Sequence, residues 1–396
     1  RHMEPLFPKE DKALADLAME VYGKAAGLQN MLNPVTRREV IRLIRHINSY
    51  YSNRIEGEHT KPSDIEKAVK REYSSDEQLK RLQLLNVAHI EVQTLIDKWL
   101  KEDEKLEVCS RDFLCHIHKE FYERVPDSFL EIRHPDTNEM IWMVPGAVRE
   151  REVKVGDHIP PVANSLDGFL KKFEEAYSTN RLYGHKTLLA VAASHHRLAW
   201  IHPFLDGNGR VTRLFSYAYM RKANIGSYGL WTMSRGLARR DDDYKRFLAS
   251  ADAHKQGNYD GRGNLSEHAL TGFCKFFFDV ALDQVEFMSR LLQLEKFRER
   301  IFGYADFRSK NMIEGEKPLR EEARYVLAEV MIRGELPRGE VKRLIGMGER
   351  TARDLTSQME EEELVISDSH RSPLRFHIPP KVVGYYFPAL YPEGTI

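Results

Sequence analysis

Residues His202-Pro203-Phe204-Leu205-Asp206-Gly207-Asn208-Gly209-Arg210-Val211-Thr212-Arg213 decide the reading of this chain, because nearly every side chain in the stretch has a chemical use. The turn Gly207-Asn208-Gly209 gives way to apolar residues at Val211, Leu214, Phe215 and Ala218, the spacing of one buried helix face, so a helix is predicted to begin at the turn. A helix N-terminus leaves backbone N–H groups unpaired and carries partial positive charge, and glycines there let an anion approach the backbone. Arg210 and Arg213 stand on neighbouring positions of that helix, where each guanidinium can grip phosphate oxygens through two parallel hydrogen bonds. Two arginines imply at least a diphosphate. Asp206 offers a hard oxygen of the kind that holds magnesium together with phosphate oxygens and water. His202 is left free as a general base. The order is that of a phosphate site with a base beside it, the mark of a nucleotide-handling enzyme.

His202, Pro203, Phe204, Asp206, Gly207, Asn208, Gly209, Arg210 and Arg213 match, without departure, the signature H-P-F-x-[D/E]-G-N-G-R-x-x-R, and on these residues the chain resembles the Fic family. The resemblance implies a mainly α fold, a helical core with a β-hairpin flap, and transfer of AMP from ATP to a Tyr, Ser or Thr hydroxyl of a protein, this chain itself included, with release of pyrophosphate. It gives His202 the proton of the target hydroxyl, Asp206 a Mg2+ ion between the α and β phosphates, and Asn208 with the Gly207 and Gly209 backbone the α phosphate. Arg210 and Arg213 would hold the outer phosphates, and Phe204 completes the nucleotide site. Transfer of this type leaves positioning and charge stabilisation to supply most of the rate, so the anion turn matters as much as the base.

Upstream, Ser52-Asn53-Arg54-Ile55-Glu56-Gly57 resembles the inhibitory motif [S/T]-x-x-x-E-[G/N] of many Fic proteins. Thr36 and Glu39 form a capping-box pattern, and Val40, Leu43, Ile44, Ile47 and Tyr51 follow at helical spacing. Glu56 is therefore predicted at the C-terminal end of that helix, with Gly57 as its stop. A carboxylate there gains nothing from the helix dipole. The resemblance pairs it with the second signature arginine, Arg213, in the place of the γ phosphate, so the resting enzyme is expected to be weakly active. Family members with this glutamate also include some that remove AMP, and the same residues serve both directions.

Pro145-Gly146-Ala147-Val148-Arg149 resembles the family's entry to its flap, with Val148 where an aromatic is usual. The run Glu152 to Pro161 alternates and ends in a double proline, which predicts a hairpin that extends no further. In the family such a flap docks the target as an added strand, which would give Val153, Lys154, Val155, Gly156, Asp157 and His158 that part. Tyr244 falls where the family often keeps an aromatic against the adenine; a core position is the other reading. His195 and His196 lie in the apolar helical run Leu188 to Ala199, and His116 and His118 on opposite sides of a helix; none completes a zinc set, and none is assigned a role.

Composition sets outer bounds. The chain has 396 residues, 42% hydrophobic and 30% charged, ordinary for a folded protein of two or three domains. A formal net charge of zero gives no global field toward nucleic acid or an anionic membrane. Three cysteines, Cys109, Cys115 and Cys274, make no disulfide framework, which predicts a reducing, cytoplasmic setting. No apolar run reaches the roughly 18 residues of a spanning helix, and no signal-peptide core opens the chain, so no membrane partner is expected. Arg1-His2 before Met3 reads as a cloning remnant.

Breaks in pattern divide the chain into an N-terminal helical region, 4–107, carrying the inhibitory helix, a catalytic core, 108–308, and a unit at 318–396 beyond the polar stretch Lys310 to Pro318. The last unit reads helix, short helix, turn, helix and two strands, Leu364-Val365-Ile366 and Leu374 to Ile378, and resembles a winged helix with its recognition helix near Gly348. DNA binding needs a basic face. Residues 318–396 hold 11 Lys and Arg against 13 Asp and Glu, a net of minus 2, and Glu360 to Glu363 close the helix, which favours protein contact or dimerisation over DNA. Two classes remain open: a self-inhibited protein adenylyltransferase using ATP and Mg2+, and a regulator whose winged helix binds DNA while its core senses nucleotide.

Overall fold

In the computed structural model, which describes residues 3–9, 11–133 and 138–392, the chain is mainly helical. Arg1 and His2 lie outside the described residues. Four helices come first: α1 (Lys12–Leu28), α2 (Pro34–Ile55), α3 (Pro62–Val69) and α4 (Glu77–Glu102). After α5 (Arg111–Tyr122) comes an antiparallel hairpin of β1 (Glu131–Arg133) and β2 (Met140–Trp142), with Ile132 opposite Ile141. The helices α6 (Leu166–Tyr177), α7 (His185–Ile201), α8 (Asn208–Lys222), α9 (Met233–Arg239), α10 (Asp241–Asp252), α11 (Glu267–Leu292) and α12 (Leu294–Ser309) follow. The rest runs α13 (Ala323–Arg333), β3 (Glu335–Leu336), α14 (Arg338–Ile345), α15 (Glu349–Glu361), β4 (Val365–Ile366), β5 (Leu374–Phe376) and α16 (Val383–Tyr386). Its three strands form an antiparallel sheet in the order β3-β5-β4.

The core is organised around α11 and α7. Ser266 caps α11 by accepting from Ala269 N at 3.0 Å, and the helix buries Phe273, Phe276, Phe277 and Phe278 on more than one face. Each such ring removed from water contributes about 1.5–3 kcal/mol, and α1, α7, α9 and α10 pack around them. From Leu188 to Ile201, α7 is buried almost throughout, including His195, His196 and Arg197, so its end is rigidly placed. That end is where the signature turn begins.

The start of α2 differs from the capping box predicted at Thr36. Asn33 is the cap, its Oδ1 accepting from Val35 N and Thr36 N at 2.9 Å each, with Pro34 at the first helical position. Asn-Pro outcompetes the later Thr because proline there has no N–H to leave orphaned and a preset φ. Thr36 is thereby freed to donate its hydroxyl to Met331 O at 2.7 Å. At the other end Glu56 is the capping residue just past Ile55, and Gly57, with φ of 82°, turns the chain away. Among the described residues no helix is long and apolar enough to cross a membrane.

Candidate functional site

α7 ends one residue before His202, whose own backbone is left-handed (φ 51°, ψ 62°) while its N–H still closes the helix on Leu198 O at 3.1 Å. Pro203 prevents continuation. Gly207, at φ 77°, begins α8, and a Cβ there would fall on the Tyr122 phenol, so both the conformation and the space require glycine. Between them the Asn208 amide staples the turn: its Oδ1 accepts from Phe204 N at 2.9 Å and its Nδ2 donates to Phe204 O at 2.8 Å. The side chain that the resemblance gives to the α phosphate is thus engaged with the turn's own backbone. Phe204 is buried, stacked on the His118 ring at 4.1 Å.

His118 fastens this turn to the flap entry. Its Nδ1 lies 2.8 Å from Gly146 N, a donor, so Nδ1 must accept. Nε2 then carries the proton and donates to Asp206 O at 3.3 Å. Burial pushes this imidazole down to about 4, which keeps the neutral tautomer. The sequence reading gave His118 no role; its signal was helical periodicity, which says that a residue is buried and not what it touches. His116 faces outward beside Glu120.

A cavity of about 810 Å³ opens above the turn, lined among others by Glu56, His202, Asn208, Gly209, Arg213 and Tyr244. His202 is partly buried there, and burial, with His158 and Arg149 adding to it, pushes its imidazole down to about 4. It is a neutral base at pH 7. Tyr244 is buried and donates to or accepts from His195 Nε2 at 2.8 Å, so it is both a cavity wall and a core residue. His195 also meets Ser216 Oγ at 2.7 Å, and His196 meets Leu248 O at 3.1 Å and Asp252 at 3.2 Å. Asp206 is exposed, its Oδ2 accepting from the Tyr122 hydroxyl at 3.3 Å. Its carboxylate is a hard oxygen ligand of the kind that could take one position on a divalent cation; among the described residues no cluster of three or more His, Cys, Asp or Glu makes a metal cage.

Both signature arginines are turned toward the end of α2. Arg213 donates Nε to Ser52 Oγ and a terminal nitrogen to Ser52 O, both at 2.9 Å, and the same nitrogen reaches Glu56 Oε1 at 2.5 Å. Arg210 donates Nε to Asn53 Oδ1 at 3.1 Å and lies 3.5 Å from the Tyr122 hydroxyl. Burial alone would raise the Glu56 carboxyl; Arg213 and then Arg210 outweigh it and hold the group below its usual range. Gly209 lets Glu56 sit against the helix, since a Cβ there would fall on Oε1. Asn53 was not singled out by sequence: its place inside the motif was visible, its partner was not.

The flap is smaller than the hairpin predicted over Glu152 to Pro161. Val155 and His158 exchange two backbone hydrogen bonds of 3.0 Å around Gly156 and Asp157, and no strand extends the pair. Pro160 and Pro161 have no N–H to give. The buried Arg149 guanidinium ties the two ends of this run to the signature turn, donating to Arg151 O at 2.8 Å, Pro161 O at 2.7 Å and His202 O at 2.8 Å. Lys154, Gly156 and Asp157 are exposed, and Val153 is half-buried. His158 points inward: Nε2 lies 2.9 Å from Trp200 O and Nδ1 3.3 Å from Asp252.

Comparison with known proteins bears on family and fold. Residues 108–220 match the family model described as Fic/DOC family. Curated relatives include the protein adenylyltransferase Fic of Drosophila erecta, 35% identical over 78 residues, 20% of this chain and 16% of the relative. That of Drosophila willistoni is 31% identical over 120 residues, 30% of this chain and 21% of the relative, so the chain spans only about a fifth of these relatives. Among solved structures, a Fic family protein from Desulfovibrio desulfuricans G20 has a TM-score of 0.51 at 17% identity, over 94% of this chain and 98% of its own. Fic-1 from C. elegans gives 0.52 at 14% identity, over 71% and 73%. At such identities the likeness is one of fold.

Proposed function

The chain belongs to the Fic family through residues 108–220, and from that premise we propose that it transfers AMP from ATP to a hydroxyl of a protein and that Glu56 restrains the transfer. The observation that carries the reading is the meeting of His202, the Gly207 turn, Arg213 and Glu56 at one cavity. In the reaction the target oxygen attacks the α phosphorus, the bond from that phosphorus to the β-bridging oxygen breaks, and pyrophosphate leaves. His202 takes the hydroxyl proton, for which its neutral ring is suited. The turn's backbone N–H groups at the start of α8 bind the α phosphate, Arg210 and Arg213 the outer phosphates, and Phe204 and Tyr244 fix the turn and the cavity wall. Asp206 would hold Mg2+, which would supply charge neutralisation for the phosphates and the leaving pyrophosphate.

Glu56 stands on the cation that would meet the γ phosphate, so ATP that binds beside it has its phosphates misplaced for attack. Ser52 and Asn53 hold the two arginines from the same helix, and Gly57 ends it. Because Glu56 also lines the cavity with His202, the same groups serve the removal of AMP by water. The residues beyond 318 read as a winged helix that contacts protein. Intact-mass measurement after incubation with ATP and Mg2+ tests the proposal. Glu56→Gly is expected to gain AMP, about 329 Da per addition, and Glu56→Gly with His202→Ala to gain none; gain by both would exclude His202 as the base.

A further inference from the structure

Helix α2 carries Glu56 at one end and is gripped along the rest of its length by residues 331–391. At its start, the Asn33 amide donates to Met331 O at 2.9 Å and Ile332 O at 2.8 Å, and Thr36 adds its hydroxyl on Met331 O at 2.7 Å. These carbonyls belong to the last turn of α13, whose end at Gly334 abuts α2 so closely that a Cβ there would fall on Asn33 and Val35. Further along, Glu39 meets His377 Nδ1 at 2.9 Å and Arg42 donates to Ile378 O at 2.8 Å. Near the far end, the Tyr51 hydroxyl donates to Leu390 O at 3.1 Å and the Tyr50 ring meets Tyr391 edge-on at 5.1 Å. The next residues, Ser52, Asn53 and Glu56, hold the signature arginines.

This joint is more than shape. The last carbonyls of any helix lack partners within it, and here the cap residue of α2 supplies them, so separating the two helices would orphan polar groups on both sides. A 22-residue helix is also a stiff rod of roughly 33 Å, and displacement where residues 331–391 hold it moves Glu56 relative to α8.

We propose that the C-terminal unit sets the brake: docked, it holds α2 in the placement that pairs Glu56 with Arg213, and any event that draws residues 377–391 off α2 releases the active site. The proposal rests on the reading of Glu56 as the restraint. It places the input for relief at the C-terminal unit, across α2 from the nucleotide cavity.

The test uses the full chain with Arg42→Met and Tyr51→Phe combined, beside wild type, Glu56→Gly and the triple variant. Amide exchange over residues 50–57 and AMP incorporation with ATP and Mg2+ are the readouts. Exchange over 50–57 is expected to quicken and incorporation to rise by about fivefold or more, the low end of coupling between linked sites. The triple variant is expected to match Glu56→Gly, because no brake is left to release. Wild-type exchange and incorporation in the double variant, with Glu56→Gly well above both, overturn the proposal and leave the reading of Glu56 standing. A Glu56→Gly protein no more active than wild type overturns both. If the double variant unfolds, Tyr51→Phe alone, which removes one oxygen, carries the same comparison.

Discussion

A histidine serves as a base at neutral pH only while its ring is uncharged, and burial at the end of α7 pushes that of His202 from 6.5 down to about 4. The base form is then present through the neutral range and is lost as pH falls through about 4. Removing Glu56, whose charge pulls the other way, lowers the value further. The acid limb of kcat/KM for Glu56→Gly is therefore expected well below 6.5 in a pH-rate profile, and a limb at 6.5 or above would mean a base in a different environment. Gly207 makes a separate prediction. Alanine there meets both an unfavourable φ and the Tyr122 phenol, so Gly207→Ala should lose about 1–3 kcal/mol in chemical unfolding. At this scale the signature turn was legible because its residues are contiguous and each has one chemistry. Asn53 and His118 were not, since Asn53 meets Arg210 across 157 positions and His118 meets Asp206 across 88, and no local pattern records such pairs.

Elements were legible where their limits are written in local chemistry. Gly57 stops α2 and Gly207 starts α8, as glycine at positive φ does at helix ends. The cap of α2 was read three residues late because Thr36 with Glu39 satisfies the pattern while Asn33-Pro34 satisfies the physics. The hairpin of β1 and β2 was missed, its strands being only three residues each, and the flap was over-read because alternation cannot show that Arg149 draws the run's ends onto itself. What holds the flap is instead side-chain chemistry, with His158 between Trp200 O and Asp252 at the cavity rim. Two polar contacts of this kind are together worth on the order of 1.4 kcal/mol, about tenfold in affinity. In the Glu56→Gly background, His158→Phe is expected to raise KM for ATP by about that factor with kcat changed far less, and Asp252→Asn to raise it by a smaller one. An equal fall in kcat and kcat/KM would instead place His158 in the transition state.

Over the whole molecule, α2 is the shared element: α4, α9 and the C-terminal unit all pack on it, and its last turn reaches the active site. The C-terminal elements were largely legible, with Val341 to Ile345 and Glu349 to Leu355 falling in α14 and α15, and the two strands in β4 and β5. Where that unit docks was not, because the contacts of Asn33, Glu39 and Tyr51 with it span some 300 residues of sequence. Its charge argues about partners. Arg353 on α15 lies 3.5 Å from Glu349, Arg343 on α14 lies 3.5 Å from Glu340, and residues 318–396 carry a net of minus 2. Binding to duplex DNA draws its free energy from several unopposed cations releasing counterions, so affinity falls steeply with salt. With Arg343 and Arg353 each beside a carboxylate and a net negative charge over its length, this unit is expected to show no retention on mixed-sequence duplex DNA that weakens between low and moderate salt, measured by fluorescence anisotropy on the full chain. A steep salt slope would place a basic face on the unit despite its pairing, and would restore the reading in which DNA is the partner that acts on α2.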